Sequence, residues 1–225
     1  MPSCRADRIV SARRSRSSIS WEIKHCRRKS SRIISSTLKD IARTAEGYSV
    51  PISGKTSDGL AVTLSEVELG HLTQLAGWSD FNKTVDYAFR TQGLSVPSDY
   101  RSAVRGGMAV IWRIAPDRVL VRSETALALE SANDVSVIDL SDSRVCLALQ
   151  GPGASGLLSR VAALDFSDAA FPVGQFAQTA IHHISVLIDR QDGEHFTVLI
   201  PTTFARSIAS FLTQHLAAET ISKQT

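Results

Sequence analysis

The chain has few cysteines, and this scarcity excludes several classes of protein. Cys4, Cys26 and Cys146 are its three cysteines among 225 residues, and no two of them form a C-x-x-C pair. Three scattered cysteines cannot build the disulfide framework of a small secreted domain, and they present no cysteine-based metal or redox motif. Cys146 lies in the apolar run RVCLAL, where a small buried side chain is expected. We therefore expect a cytoplasmic protein without a metal site.

Long apolar runs are also missing. No run approaches the ~18 apolar residues that a membrane-spanning helix needs, so we expect no membrane partner. Hydrophobic residues make up 43% of the chain and charged residues 21%, which are proportions typical of a soluble globular protein. A chain of 225 residues is long enough for one large or two small domains.

Acidic residues are scarce at the start of the chain. Residues 1–32 contain ten Lys or Arg and two Asp or Glu, whereas the remaining residues contain fifteen and twenty. Because this Arg- and Ser-rich stretch has few apolar residues to bury, we predict that residues 1–40 form a basic, disordered extension. A nucleic-acid-binding arm, a targeting peptide and a dispensable extension from an early start codon are its three possible roles. Trp21 is its single aromatic residue and gives no series of stacking platforms for bases, so we expect a dispensable extension and no nucleic-acid partner.

Residues 58–225 are predicted to form a duplicated domain with halves at about 58–134 and 135–217. The first half is predicted to begin with one or two strands over 60–77, followed by a helix that is capped by Ser79 or Asp80 and ends near Arg90. A hairpin over 108–123 with a turn at Pro116–Asp117 and a short helix over 124–132 complete this half. The second half is predicted to contain a strand over 143–151, a helix over 152–164, two or three strands over 175–201 with a turn at Asp192–Gly193, and a closing helix over 202–216.

The two halves repeat the same order of elements at a spacing of about 75 residues, which is longer than a solenoid repeat. In both, a strand precedes a helix, and a hairpin with an acidic turn precedes a final helix. This pattern predicts an α+β fold made of two similar β-α-β-β-α modules, with antiparallel sheets and helices packed on them.

The segment GPGASG, residues 151–156, matches the G-x-G-x-x-G pattern of dinucleotide-binding turns. A dinucleotide site also needs a parallel βαβ unit with an acidic residue at the end of its second strand. The helix predicted after the glycines is instead followed by DFSDAAFPVG, which is typical of a turn. We therefore favour a structural role, in which Gly151 ends a strand and Pro152 starts a helix.

His182 and His183 are adjacent and fall within a predicted strand. Neighbouring residues of a strand point to opposite faces, so the two rings cannot simply bind one metal ion. We expect a structural or partner-facing role for them. The sequence thus offers no catalytic, cofactor-binding or metal-binding residue.

Three blocks in the second half carry a resemblance to a known family. They are VIDLSDSRVCLALQGPGA (137–154), FPVGQFAQT (171–179) and FTVLIPTTFARSIASFL (196–212). The matching residues are Asp139, Ser141, Arg144, Gly151, Pro152, Ala154, Gly174, Ala177, Gln178, Thr179, Phe204 and Ala205. In these blocks the chain resembles the gamma subunit of heterotetrameric sarcosine oxidase, and weaker similarity reaches back to about Leu64.

The resemblance implies a fold similar to the folate-binding domain of the glycine-cleavage T-protein. It also implies alpha, beta and delta subunits as partners, in an enzyme that oxidatively demethylates sarcosine to glycine. That enzyme passes the one-carbon unit to tetrahydrofolate and electrons to oxygen. FAD, FMN, NAD, tetrahydrofolate and zinc are expected in the other subunits and none in this chain. The alternative is a free-standing folate-binding or aminomethyltransferase-like protein.

The matched residues that are not clearly part of a core are candidates for contact with other subunits. They are Asp139, Arg144, Gly174, Ala177, Gln178 and Thr179. Small residues such as Gly174 and Ala177 would let a partner backbone approach closely, and Gln178 could hydrogen-bond across the interface. Alternatively, Gly174 permits a turn after Pro172, and Asp139 and Arg144 pair with each other.

Overall fold

The computed structural model describes residues 51–78, 80–131 and 134–218. The extension predicted over residues 1–40 lies outside the described residues. The strands are β1 (Ile52–Lys55), β2 (Ala61–Val67), β3 (His71–Gly77), β4 (Val104–Gly106), β5 (Ala109–Ala115), β6 (Arg118–Ser123), β7 (Val135–Asp139), β8 (Arg144–Gln150), β9 (Phe176–Ile181), β10 (Ile184–Arg190), β11 (His195–Pro201) and β12 (Ala217–Ala218). The α-helices are α1 (Phe81–Thr91), α2 (Ala154–Val161) and α3 (Ala205–Gln214).

The strands form two antiparallel sheets, which confirms the predicted α+β class. The seven-stranded sheet has the order β12-β1-β2-β8-β11-β10-β9, and the five-stranded sheet has the order β4-β5-β6-β3-β7. All neighbouring strands pair antiparallel. The hairpin turn predicted at Pro116–Asp117 joins β5 to β6, and the one at Asp192–Gly193 lies between β10 and β11.

The strand order is repeated between the two sheets. β3, α1, β4, β5 and β6 give the spatial order β3-β6-β5-β4, and β8, α2, β9, β10 and β11 give β8-β11-β10-β9. β2 comes directly before β3 in the chain but pairs with β8 in the seven-stranded sheet. β7 comes directly before β8 but pairs with β3 in the five-stranded sheet. Each repeat therefore contributes one strand to the sheet of the other repeat. β1, which precedes residue 58, also joins the seven-stranded sheet.

Helices cover the outer face of each sheet, and the inner faces pack on each other. α2 and α3 pack on the seven-stranded sheet, and α1 packs on the five-stranded sheet. In β8, Val145, Leu147 and Leu149 face the helices, whereas Cys146 faces the other sheet. Burial on both faces explains why this strand reads as a continuous apolar run. We call the cluster between the sheets the inter-sheet core; its buried residues are Leu72, Trp112, Leu120, Cys146, Phe176, Leu187 and Leu199.

The short helix predicted over residues 124–132 is wrong. Residues 124–131 have no helical conformation. Leu127 and Leu129 both pack against the core under α1, while Ala128 between them is exposed. This period of two belongs to an extended chain, not to a helix. Tertiary packing of two alternate leucines has overridden the helix propensity of ETALALESA.

The strand predicted over His182 and His183 is also wrong. The two histidines form the turn between β9 and β10, with φ angles of 48° and 68°. Two consecutive positive φ angles are those of a type I′ hairpin turn, which matches the twist of the flanking strands. Both histidines are exposed, and the His182 ring packs 4.7 Å from that of Phe211.

One helix start differs from the prediction, and one predicted capping contact is not formed. α2 begins at Ala154 rather than at Pro152, with Gly153 at the N-cap. Asp80 occupies the N-cap of α1 as predicted, but its side chain makes no capping hydrogen bond and contacts Lys83 instead. Ser79 lies outside the described residues. α3 begins at Ala205, so Phe204 precedes the helix and is exposed.

Candidate functional site

The layer between the sheets is apolar in the middle and polar at its margins. The inter-sheet core fills the middle, and three open clefts lie around it. The first cleft, of about 380 Å³, is called the Arg144 cleft, and its lining includes Leu72, Gln74, Arg144, Gln178, Ser185 and Leu187. The second, of about 820 Å³, is called the Arg105 cleft, and its lining includes Arg105, Met108, Arg122, Glu124, Gln150 and His195. The third cleft, of about 390 Å³, is acidic, and its lining includes Glu66, Glu68, Glu124, Asp142, Arg144 and Cys146.

The structure brings three of the six predicted interface residues to one place. Arg144, Gln178 and Thr179 all line the Arg144 cleft. Asp139 is the last residue of β7 and comes directly before Leu140, which also lines this cleft. Gly174 and Ala177 do not line this cleft.

Arg144 is the first residue of β8 and is partly buried. Its Nη1 donates a hydrogen bond to the carbonyl oxygen of Ser143 at 3.1 Å. The ion pairs within 4 Å among the described residues do not include Arg144. The carboxylate of Asp139 accepts hydrogen bonds from the backbone N–H and the hydroxyl of Ser141, at 3.0 and 2.6 Å.

Gln178 links the two sheets. It lies on the edge strand β9 of the seven-stranded sheet, and its Nε2 donates to the carbonyl oxygen of Ile114 on β5 at 2.8 Å. This amide therefore already has a hydrogen-bond partner within the chain. Ala177, its neighbour, packs half-buried against the core on the helix side of the sheet.

Gly174 has a structural role in the turn before β9. Its φ is +88°, and the N–H of Gln175 donates to the carbonyl oxygen of Pro172 at 3.1 Å. A positive φ at the third position is the signature of a type II turn, where glycine is strongly favoured. The turn is also hydrogen-bonded to the segment before β4, because the Gly174 carbonyl accepts a hydrogen bond from the N–H of Ala103. The alternative in which Gly174 permits a turn after Pro172 thus has direct geometric support.

A buried ion pair that the sequence analysis missed lies beside the Arg105 cleft. Asp189 on β10 is buried, and both of its carboxylate oxygens lie 2.7 Å from Nη2 of Arg105 on β4. Burial raises the pKa of Asp189, and Arg105 opposes that shift only in part. The indole of Trp112 and the charge of Arg122 also favour the ionised carboxylate, although the buried Trp112 Nε1 falls short of hydrogen-bond geometry.

Arg122 also lines the Arg105 cleft and reaches Cys146 of the inter-sheet core. Arg122 donates to the backbone carbonyls of Glu68 and Leu69, at 2.8 and 3.0 Å, and its Nη1 lies 3.8 Å from the Cys146 sulfur. Burial raises the pKa of the Cys146 thiol to about 11, because the nearby Arg122 charge does not offset desolvation. The thiol is therefore protonated at neutral pH and is a poor nucleophile.

Arg190 is also buried and was not identified from the sequence. Its guanidinium donates to the carbonyls of Phe171, Asp192 and Gly193, forms an ion pair with Asp168, and stacks 5.1 Å from the centre of the Phe196 ring. These contacts tie the segment before β9 to the β10–β11 connection. A signal was present in the sequence, because the Asp192–Gly193 turn leaves both Asp189 and Arg190 inside the preceding strand.

The glycine-rich segment allows close packing of α2 against β2. Gly151 has a φ of +116°, and an added Cβ would lie 2.6 Å from the carbonyl oxygen of Ala61. A Cβ on Gly153 would lie 2.7 Å from the Val62 side chain. β11 and β10 separate β8 from β9, so β8, α2 and β9 do not form the parallel βαβ unit of a dinucleotide site.

No cluster of three or more His, Cys, Asp or Glu side chains among the described residues could hold a metal ion. None of the helices described is long and apolar enough to cross a membrane.

Comparison with known structures places the fold. A chain of heterotetrameric sarcosine oxidase from Corynebacterium sp. U-96, solved in complex with pyrrole 2-carboxylate, matches with a TM-score of 0.65 and 22% identity over 78% of this chain and 91% of that chain. The glycine cleavage system aminomethyltransferase T from Bartonella henselae matches with a TM-score of 0.45 and 20% identity over 69% of this chain and 46% of that chain. No family model and no curated protein sequence matches the chain. The chain thus shares its α+β fold with a chain of a heterotetrameric sarcosine oxidase.

Proposed function

We propose that this chain is the gamma subunit of a heterotetrameric sarcosine oxidase and has an assembly role rather than a catalytic one. The observation that carries the proposal is the fold match, which covers 91% of a chain of such an enzyme. The match therefore extends over nearly a whole chain of similar size, not over one domain of a much larger chain. The three sequence blocks that resemble the gamma subunit point to the same role.

In this proposal the alpha, beta and delta subunits carry out the chemistry. They hold FAD, FMN, NAD, tetrahydrofolate and zinc, demethylate sarcosine to glycine, transfer the one-carbon unit to tetrahydrofolate and pass electrons to oxygen. The present chain supplies a folded surface on which they assemble. The arrangement of its own polar residues supports this role, because the buried carboxylate of Asp189 is bound by Arg105 and the Cys146 thiol is protonated.

An exposed apolar side chain is a candidate contact for such a partner. Val173 is 56% exposed and lies two residues before Gln175, which forms a bridge with Ser102. Val173 also belongs to the segment FPVGQFAQT, so this contact keeps part of the interface predicted from the sequence.

Co-expression of the chain with alpha, beta and delta subunits tests the proposal. We expect one complex on size exclusion, with flavin absorbance and sarcosine-dependent oxygen consumption, and no such activity from this chain alone. Val173→Asp should weaken incorporation of the chain. Leu60→Asp is the matched control, because Leu60 is also exposed but lies beside β1, near the opposite edge of the seven-stranded sheet from β9. An active complex that assembles equally well without this chain would refute the assembly role.

A second candidate function rests on the Arg105 cleft. A polar cleft of about 820 Å³ between the two sheets is large enough for a substantial ligand, as a free-standing folate-binding or aminomethyltransferase-like protein would require. Titration of the isolated chain with tetrahydrofolate distinguishes this candidate. Saturable binding that is lost on mutation of Gln150 or His195 would favour it over the assembly role.

A further inference from the structure

The Arg144 cleft combines an apolar floor with a cationic wall. Leu72 and Leu120 from one sheet and Leu187 and Leu199 from the other contribute its apolar lining, and Gln74 and Arg144 contribute polar groups. A concave apolar surface with a few convergent polar groups is the general form of a small-molecule site, and about 380 Å³ lies within the usual range of volumes. The cleft lies between the sheets and is therefore walled by regular strands, not by loops.

Arg144 forms no ion pair with a described carboxylate. None lies within 4 Å of its guanidinium, although Glu66, Glu68, Glu124 and Asp142 line a third cleft with it. Its one hydrogen bond among these residues is that from Nη1 to Ser143. A guanidinium carries five N–H donors in a planar fork that matches a carboxylate. Arg144 therefore has donors and charge to offer to an anion in the cleft.

We propose that the Arg144 cleft binds a small organic monocarboxylate with a compact apolar body. Arg144 pairs with the carboxylate, the Gln74 amide adds a polar contact, and the leucines cover the apolar body. One cation balances one negative charge, whereas a second charge, as in a dicarboxylate or a phosphate, would be desolvated against leucine without a partner. The inference is independent of the proposed function, because residues of this chain alone line the cleft.

The Arg105 cleft provides an internal contrast. Arg105 already holds the buried carboxylate of Asp189 through Nη2, so its charge is balanced within the chain. Arg122 also lines that cleft and donates to the carbonyls of Glu68 and Leu69. The apolar lining therefore decides between the clefts: five leucines line the Arg144 cleft and one lines the Arg105 cleft, so a ligand with an apolar body is expected in the Arg144 cleft.

Calorimetry and NMR of benzoate binding to the full-length chain test the proposal. Benzamide is the matched ligand control, since it keeps the shape and loses the charge. We expect benzoate to bind about tenfold or more tightly than benzamide, because a hydrogen-bonded charge pair contributes that much. Perturbed signals should include the Gln74 side-chain amide and the methyl groups of Leu72 and Leu187.

Two variants localise the effect. Arg144→Gln should weaken benzoate binding about tenfold or more and leave benzamide unchanged. Arg206→Gln on the exposed face of α3 should bind benzoate like the parent chain. Circular dichroism checks that both variants are folded. The proposal is overturned if benzoate does not bind, if benzoate and benzamide bind equally, or if folded Arg144→Gln retains full affinity.

Discussion

The Arg105 cleft and the Arg144 cleft differ in whether the arginine after which each is named forms an ion pair with a described carboxylate. In the Arg105 cleft, Arg105 pairs with the buried carboxylate of Asp189, and the ion pair joins the short edge strand β4 to β10, the strand next to the edge of the other sheet. Arg144 lies in a smaller, more leucine-rich cleft and pairs with no described carboxylate. Arg105 thus stabilises the fold through its ion pair with Asp189, whereas we propose that Arg144 pairs with a ligand.

The largest loss of stability should follow from removal of the Arg105–Asp189 ion pair. Arg105→Ala leaves the Asp189 carboxylate buried without its partner, so we expect the free energy of unfolding at neutral pH to fall by about 3 kcal/mol. Arg144→Ala should cost about 0.5 kcal/mol or less, because it breaks no ion pair among the described residues. Urea unfolding of the two variants provides the measurement. Equal losses of unfolding free energy in the two variants would show that Arg105 and Arg144 contribute equally to stability.

Cys146 should be protected from reagents although it borders the third cleft, because it is fully buried. In a chain with Cys4→Ser and Cys26→Ser, Cys146 should react with a thiol reagent about a hundredfold more slowly when folded than when unfolded, because its pKa of about 11 reduces the thiolate fraction. Burial of the sulfur slows the reaction further. Labelling kinetics in buffer and in denaturant give the comparison. A folded chain that reacts as fast as the unfolded one would show that Cys146 is accessible in the folded state.

Asp189→Asn should have a smaller effect than Arg105→Ala and should change the pH dependence. We expect a loss of about 1–2 kcal/mol at neutral pH, because Arg105 is partly exposed and can be rehydrated. The pKa of Asp189 is raised in the folded protein, so the folded state binds a proton more readily than the unfolded state. The contribution of this group to stability is therefore present at low pH and is lost as pH rises through its folded pKa.

Unfolding free energies measured from about pH 4 to pH 7 reveal this contribution as a difference between the parent chain and Asp189→Asn. The parent chain should lose more stability over this interval than the variant. Parallel pH profiles would show that Asp189 has no raised pKa in the folded chain.

The smallest effect should come from the amide that bridges the sheets beside the Arg144 cleft. Gln178→Ala removes the hydrogen bond to the Ile114 carbonyl and should cost about 1 kcal/mol or less, since Gln178 is exposed and water can replace the amide. Gln214→Ala at the exposed end of α3 is the control and should be near neutral. Thermal unfolding measures both. A loss much larger than 1 kcal/mol would show that this hydrogen bond also fastens the sheets.

Local patterns in the sequence were enough to predict most of the elements and their repetition. Alternating apolar residues and Pro-Asp or Asp-Gly turns identify the hairpins, and spacing of Phe81, Val85 and Phe89 identifies α1. The exchange of β2 and β7 between the sheets could not be predicted, because antiparallel pairing of distant strands leaves no local signal. The extended path of Leu127 and Leu129 depends likewise on a core formed by other elements.

The polar residues were harder to place from sequence than the apolar ones. Asp189 and Arg190 are buried, and their burial was not predicted because charged side chains close to a turn are mostly exposed. The grouping of Arg144, Gln178 and Thr179 in one cleft required the order of strands in the seven-stranded sheet. The His182–His183 turn was missed because positive φ angles are unusual for histidine and no glycine or asparagine marks the turn.

Native mass spectrometry of the four co-expressed subunits tests the central claim most directly. If this chain is an assembly subunit of a heterotetrameric sarcosine oxidase, it should occur in the same complex as the alpha, beta and delta subunits, and Val173→Asp should reduce its occupancy while Leu60→Asp does not. A flavin-containing complex of the other three subunits that excludes this chain and oxidises sarcosine at the full rate would contradict the claim.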